Sequence, residues 1–289
     1  MNICLAAIIL IKDFEINKTM VRGIIVECSK KAWINLILLA VTLFVNVLGA
    51  RGMINGLSQK EISDMYVTLI TPSPSTFSIW SVIYSLLIIS IVVLLIKKKD
   101  DYYQNAIDQI STLFWISCFF NIAWIIAFSY VLLELSVLFI LGFVITLSLI
   151  CQKLLKIQKG KRWLLPLSFG LYTGWLFIAT VVNIAATLVK LEWNGFGLAP
   201  EIWAVIILIV AILLVIAVLL RIKNAVFPLP VAWAYLGIYR FLKSPTGFNG
   251  EFNLLQTVSL IGMVVLIIVA TIQLYRNHFS LVPSSSSND

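Results

Sequence analysis

The sequence predicts an all-α, polytopic membrane protein, and three observations carry that expectation. Of its 289 residues, 61% are hydrophobic and only 12% charged, about half the charge share of an ordinary soluble domain. The apolar residues gather in about eight runs, most close to the ~20 residues a helix needs to cross a bilayer, and the connectors between them hold most of the charge. Aromatic and polar residues within several runs recur at steps of three and four, the helical period, and the alternation of a membrane β-barrel is absent.

Residues 1–31 open with an apolar stretch at 3–11 that is too short to span and is followed by a mixed-charge run. With no basic segment ahead of it, this is neither a signal peptide nor a spanning helix. We read it as a poorly ordered or interfacial leader, and Met20 offers a second start. Residues 32–50 form the first span, with Asn46 in its second half. Residues 51–75, which hold Gly52, Gly56, Pro72 and Pro74, are the longest connector of the core, either a lid or a plain connection. The second span, 76–96, stops at Lys97, Lys98 and Lys99.

Residues 110–130 and 131–151 make a tight hairpin with Glu134 near its turn, at the interface rather than buried. A basic connector, 152–163, leads to the fifth span at 164–189, LLPLSFGLYTGWLFIATVVNIAATLV, which contains no charged residue. The loop LEWNGFGLAPE follows, then an aliphatic span at 202–220. A shorter one at 226–242 is distorted at its start by Pro228 and Pro230, and Arg240 near its end is placed to snorkel. The last span is 254–275, and the tail 276–289, ending LVPSSSSND, is expected to be disordered.

The formal net charge is +8, yet the basic residues sit in short loops rather than along one face, so no nucleic-acid partner is expected. With eight spans and the N-terminus inside, 16 of the 21 Lys and Arg residues fall on the inner side and 5 on the outer. That bias places both termini in the cytoplasm and turns residues 51–75 outward. Cys4, Cys28, Cys118 and Cys151 lack metal-like spacing, and the single histidine, His278, lies near the C-terminus. No disulfide framework, metal site or cofactor is expected.

In the fifth span Tyr172, Trp175, Ala179, Asn183 and Ala186 share one helix face. An Asn at mid-membrane depth needs a partner, so this face should point into protein. Phe77, Trp80 and Tyr84 in the second span, and Asn121, Trp124 and Phe128 in the third, repeat the pattern. Together the three stripes could line an aromatic cavity; taken singly, each is also what a packing stripe looks like.

These motifs resemble the TspO/translocator proteins, also called tryptophan-rich sensory proteins or the peripheral benzodiazepine receptor family. The family's Tyr-x-x-Trp-x-x-Phe-Ala-x-x-x-Asn pattern is similar to Tyr172, Trp175, Ile178, Ala179 and Asn183, with Ile178 in place of Phe and Leu171 where a Pro normally precedes. Its Trp-x-x-x-Tyr looks like Trp80 and Tyr84, with Phe77 upstream, and its Asn-x-x-Trp looks like Asn121 and Trp124, followed by Phe128. In the first loop, Tyr66, Leu69 and Pro72 match Tyr-x-x-Leu-x-x-Pro, with Met65 where a Trp usually stands. The resemblance covers residues 32–189 as a five-helix bundle, leaving 190–275 as three additional helices.

What the resemblance implies is a membrane receptor or sensory protein that binds a porphyrin-like ligand in a pocket inside the bundle, capped by the first loop. By position, Phe77, Trp80, Tyr84, Asn121, Trp124, Phe128, Tyr172, Trp175, Ala179 and Asn183 would serve that pocket, and Arg51 and Lys60 could meet propionates. The partners so anticipated are this ligand, the lipid bilayer and a second copy in a homodimer. A permease is the alternative, suggested by eight spans and by Asn46, Asn121 and Asn183 at depth, against which no inverted repeat or centrally broken helix is found. A non-catalytic membrane assembly protein would equally account for the last three helices. An enzyme is not expected, because the spans offer neither histidine nor a carboxylate pair. Without a transit peptide, the expected location is a bacterial plasma membrane.

Overall fold

The computed structural model describes residues 3–284, without the side chains of 3–22, 24 and 25. Among the described residues there are nine α-helices and no strand: α1 Ile3–Ala50, α2 Gln59–Met65, α3 Ile79–Ile96, α4 Asp101–Ser129, α5 Leu133–Ile157, α6 Leu164–Lys190, α7 Pro200–Ile222, α8 Pro228–Lys243 and α9 Asn253–Arg276. Among the described residues seven helical segments are long and apolar enough to cross a membrane, the first of them Val26–Ala50. The chain is an integral, multi-pass helical membrane protein.

The element ends follow local chemistry. The Asp100 carboxylate accepts from the Tyr102 and Tyr103 backbone N–H groups at 3.0 and 3.4 Å, capping α4 nine residues before the apolar run begins. α1 runs back through the expected leader without a break. The span expected at 226–242 is α8, whose 16 residues rise about 24 Å, less than the ~30 Å hydrocarbon core. Pro228 and Pro230 sit in its first turn, where a missing N–H costs no helical bond. Beyond α9 the chain turns back: Asn277 donates to the Lys223 carbonyl (2.9 Å), and Ala225 N–H donates to the Leu281 carbonyl (2.8 Å). Residues 285–289 of the expected tail lie outside the described residues.

α4 packs between α1 and α5, α5 lies against α6, and α3 touches both α1 and α6; α8 joins this bundle through α6 and carries α9, which in turn meets α7. The α6–α8 contact is close because of Gly174, where a Cβ would lie only 2.1 Å from the Phe227 carbonyl oxygen. At the C-terminal end of α6 Lys190 pairs with Glu134 of the first turn of α5 (2.8 Å), so the hairpin acid is interfacial, with its side chain 45% exposed.

Residues 51–75 form a cap. Ser58 Oγ accepts from the Glu61 N–H while Glu61 Oε2 accepts from the Ser58 N–H, a reciprocal capping box that starts α2. The Ser58 backbone bond holds the Glu61 carboxyl below the usual carboxylate range. Ile62 of α2 is buried against Leu133 and Ala186, so the loop is pinned to the ends of α5 and α6 as a lid.

Candidate ligand cavity

Beneath the lid lies a cavity of about 330 Å³, within the ~300–1,000 Å³ range of small-molecule sites. Gln59, Ile62 and Ser63 of α2 roof it, and Thr71, Pro72 and Pro74 bound it from the rest of the loop. Its walls come from α3, α4 and α6, with Ala234 and Phe241 from α8.

Seven of the sequence-predicted residues line this space: Phe77, Trp80, Trp124, Phe128, Trp175, Ala179 and Asn183. Trp175 is held edge-on by Trp80 at 6.0 Å and by Phe77 at 5.8 Å. On α4, Trp124 sits 6.3 Å from Phe128, one turn along the same helix. Asn183 donates its amide to Ser136 Oγ at 3.1 Å, which ties α6 to α5 at the cavity wall.

The other three, Tyr84, Asn121 and Tyr172, do not line the cavity. They lie one helical turn further from the lid and form its foundation. Tyr84 donates its hydroxyl to Asn46 Oδ1 (2.8 Å), Asn46 donates to Asn121 Oδ1 (2.6 Å), and Asn121 donates to the Tyr172 hydroxyl (2.9 Å). One hydrogen-bonded chain therefore joins α3, α1, α4 and α6 within the bundle. The Tyr84 ring stacks under Trp80 at 5.0 Å, and Tyr172 meets the same indole edge-on at 6.2 Å. The network thus fixes the cavity floor through aromatic contact rather than by touching the space itself.

Two features of the lining decide what it can hold. Its surface is largely apolar and aromatic, and the charged residues present, Lys60 and Asp64, sit on α2 and pair with one another. Arg51 is exposed and does not reach the space. Three buried donors among the lining residues have no partner in the protein: Trp124 Nε1, Trp175 Nε1 and Gln59 Nε2. A buried donor left unmade costs about 1–3 kcal/mol, so these three groups, which lie behind the aromatic surface, tax the fold around the space. Among the described residues no group of His, Cys, Asp and Glu could hold a metal ion.

Sequence reasoning put the first loop, with Lys60, over the pocket without seeing the helix α2 in it, and left α8 out of the walls. The Ser58-x-x-Glu61 capping box could have revealed α2 within the loop. Nothing comparable marks Ala234 or Phe241, which reach the site from far along the chain.

A family model described as TSPO-like protein matches residues 32–272. The match passes residue 189 and runs through α7 and α8 into α9, so the three later helices fall within it. No curated protein and no solved structure matches the chain.

Proposed function

This chain belongs to the TSPO-like protein family, and from that premise we propose that it is a membrane receptor for a flat, hydrophobic ligand of the tetrapyrrole class, held in the cavity under the lid and left chemically unchanged. The observation that carries this reading is the enclosed space under the lid, lined by Phe77, Trp80, Trp124, Phe128 and Trp175. Indole and phenyl faces stack on a planar macrocycle and supply the apolar contact that such a guest needs. Lys60 at the lid supplies a cation for a peripheral carboxylate, in exchange for Asp64.

A binding role accounts for the lining better than catalysis does. The walls below the lid are aromatic and aliphatic apart from Asn183, and the hydroxyl and charged side chains of the lining belong to the lid and its loop. The Tyr84–Asn46–Asn121–Tyr172 chain spans the bundle under the cavity, a tie across the path a permease would open. Basic residues cluster at the end away from the lid, where Arg162 pairs with Asp100 (3.2 Å) and Lys153 donates to Gln109 (3.2 Å); that placement supports a cytoplasmic position for this end and for both termini.

The test is a titration of the purified full chain with protoporphyrin, read by ligand absorbance so that Trp substitutions leave the signal intact. Trp175→Phe and Trp124→Phe keep an aromatic ring but remove stacking area; each should weaken binding about fivefold, the value of ~1 kcal/mol of aromatic contact. Ligand recovered after binding should be unchanged by mass spectrometry. Absence of saturable binding, or binding indifferent to both substitutions, refutes the receptor reading.

A further inference from the structure

The loop segment 71–78 is one wall of the cavity, through Thr71, Pro72, Pro74 and Phe77. It is held by α8. Ser73 N–H donates to the Gly237 carbonyl at 3.0 Å, and Trp233 Nε1 donates to the Thr76 carbonyl at 2.9 Å. The Thr76 side chain fills the notch at Gly237, where a Cβ would come within 2.1 Å of Thr76 Oγ1. Thr76 and Gly237 are both buried at this contact.

α8 is itself immobilised. The Gly174 approach fixes its start against α6, and the Tyr235 hydroxyl donates to the Leu208 carbonyl of α7 at 2.6 Å. The loop therefore docks on a rigid surface, and its backbone groups at Ser73 and Thr76 find partners there that hydrocarbon could not supply.

We infer that Trp233 and Gly237 are positioning residues of the ligand site: they clamp segment 71–78 to α8 and so set how readily a guest enters the cavity. The inference rests on the cavity being the ligand site, yet its consequence for access does not require that any particular ligand bind. Releasing the clamp frees one wall while leaving the aromatic walls of α3, α4 and α6 in place. The three later helices thereby gain a role that a five-helix bundle could not perform for itself.

The test measures access directly. In the full chain with Cys4 replaced by Ser, Ala179→Cys places a thiol on the cavity wall, and Ala185→Cys places one in a buried position of the same helix that does not line the cavity. Maleimide labelling rates are compared in the parent, in Gly237→Val, which displaces Thr76, and in Trp233→Phe, which deletes only the donor. The expected result is at least a tenfold faster reaction at position 179 in Gly237→Val and about threefold in Trp233→Phe, with position 185 unmoved in both. If Gly237→Val does not fold, Trp233→Phe still decides.

Unchanged labelling at 179 overturns the clamp, and so does equal acceleration at 179 and 185, which would mean general loosening. Protoporphyrin binding by the parent alongside unchanged labelling would leave the receptor reading standing and the clamp refuted. Accelerated labelling in a protein that binds no protoporphyrin would support the clamp and refute the ligand assignment.

Discussion

The 2.6 Å hydrogen bond from Asn46 to Asn121 is the central link of the chain beneath the cavity, and a double-mutant cycle across it tests whether that chain holds the bundle together. Asn46→Leu strands the Tyr84 hydroxyl, which loses its acceptor, and leaves Asn121 Oδ1 without its donor. Asn121→Leu removes the donor to the Tyr172 hydroxyl, while Asn46 keeps its bond to the Thr42 carbonyl (2.8 Å). A stranded buried group costs about 1–3 kcal/mol, and interhelical hydrogen bonds within bilayers average about 0.6 and reach about 1.7 kcal/mol. Each single variant should therefore lose about 1–3 kcal/mol. The double variant should lose less than the two combined by about 0.6–1.7 kcal/mol, because both singles break the same bond. The assay is reversible unfolding in mixed micelles with increasing dodecyl sulfate, followed by far-ultraviolet circular dichroism. Losses that add to within about 0.3 kcal/mol would refute the link, since independent sites behave that way.

Two further outcomes are expected. Gly174→Ala places a carbon 2.1 Å from the Phe227 backbone oxygen, an atom that cannot rotate aside; the cost should reach or exceed the ~1–3 kcal/mol typical of overpacking, and a parent-like thermal midpoint would disprove the close contact. Glu61 has a carboxyl depressed by its capping bonds, so its contribution to α2 is complete above the ordinary carboxylate pKa and is lost as pH falls through the lower folded value. Hydrogen exchange of Gln59–Met65, corrected for intrinsic rates, should lose protection as pH drops below about 4, and Glu61→Gln should abolish that dependence; an equal loss in both proteins would show that the box does not control the lid.

Much of the wall was legible because a single helix repeats every 3.6 residues, so Trp175, Ala179 and Asn183 had to share a face whatever packed against it. The same period could not say how deep each residue lies relative to the lid. Trp80 and Tyr84 share a stripe, yet Trp80 borders the cavity and Tyr84 supports it from below, because the cavity ends where the hydrogen-bonded chain from Asn46 crosses the bundle. The donors without partners were equally invisible, since whether the Trp175 N–H meets an acceptor depends on every neighbour at once.

By itself the sequence determined the class of the protein, the order and approximate ends of its membrane helices, and the three aromatic stripes, because hydropathy and helical period are properties of contiguous residues. Only the tertiary structure decided that residues 51–75 fold into a lid, that α8 stops short of a full span, and that Ala234, Phe241 and the Gly237 notch complete a site begun more than 150 residues earlier. Those outcomes depend on which surfaces meet across the bundle, and backbone approaches such as Gly174 on Phe227 are set by packing, which no local pattern encodes.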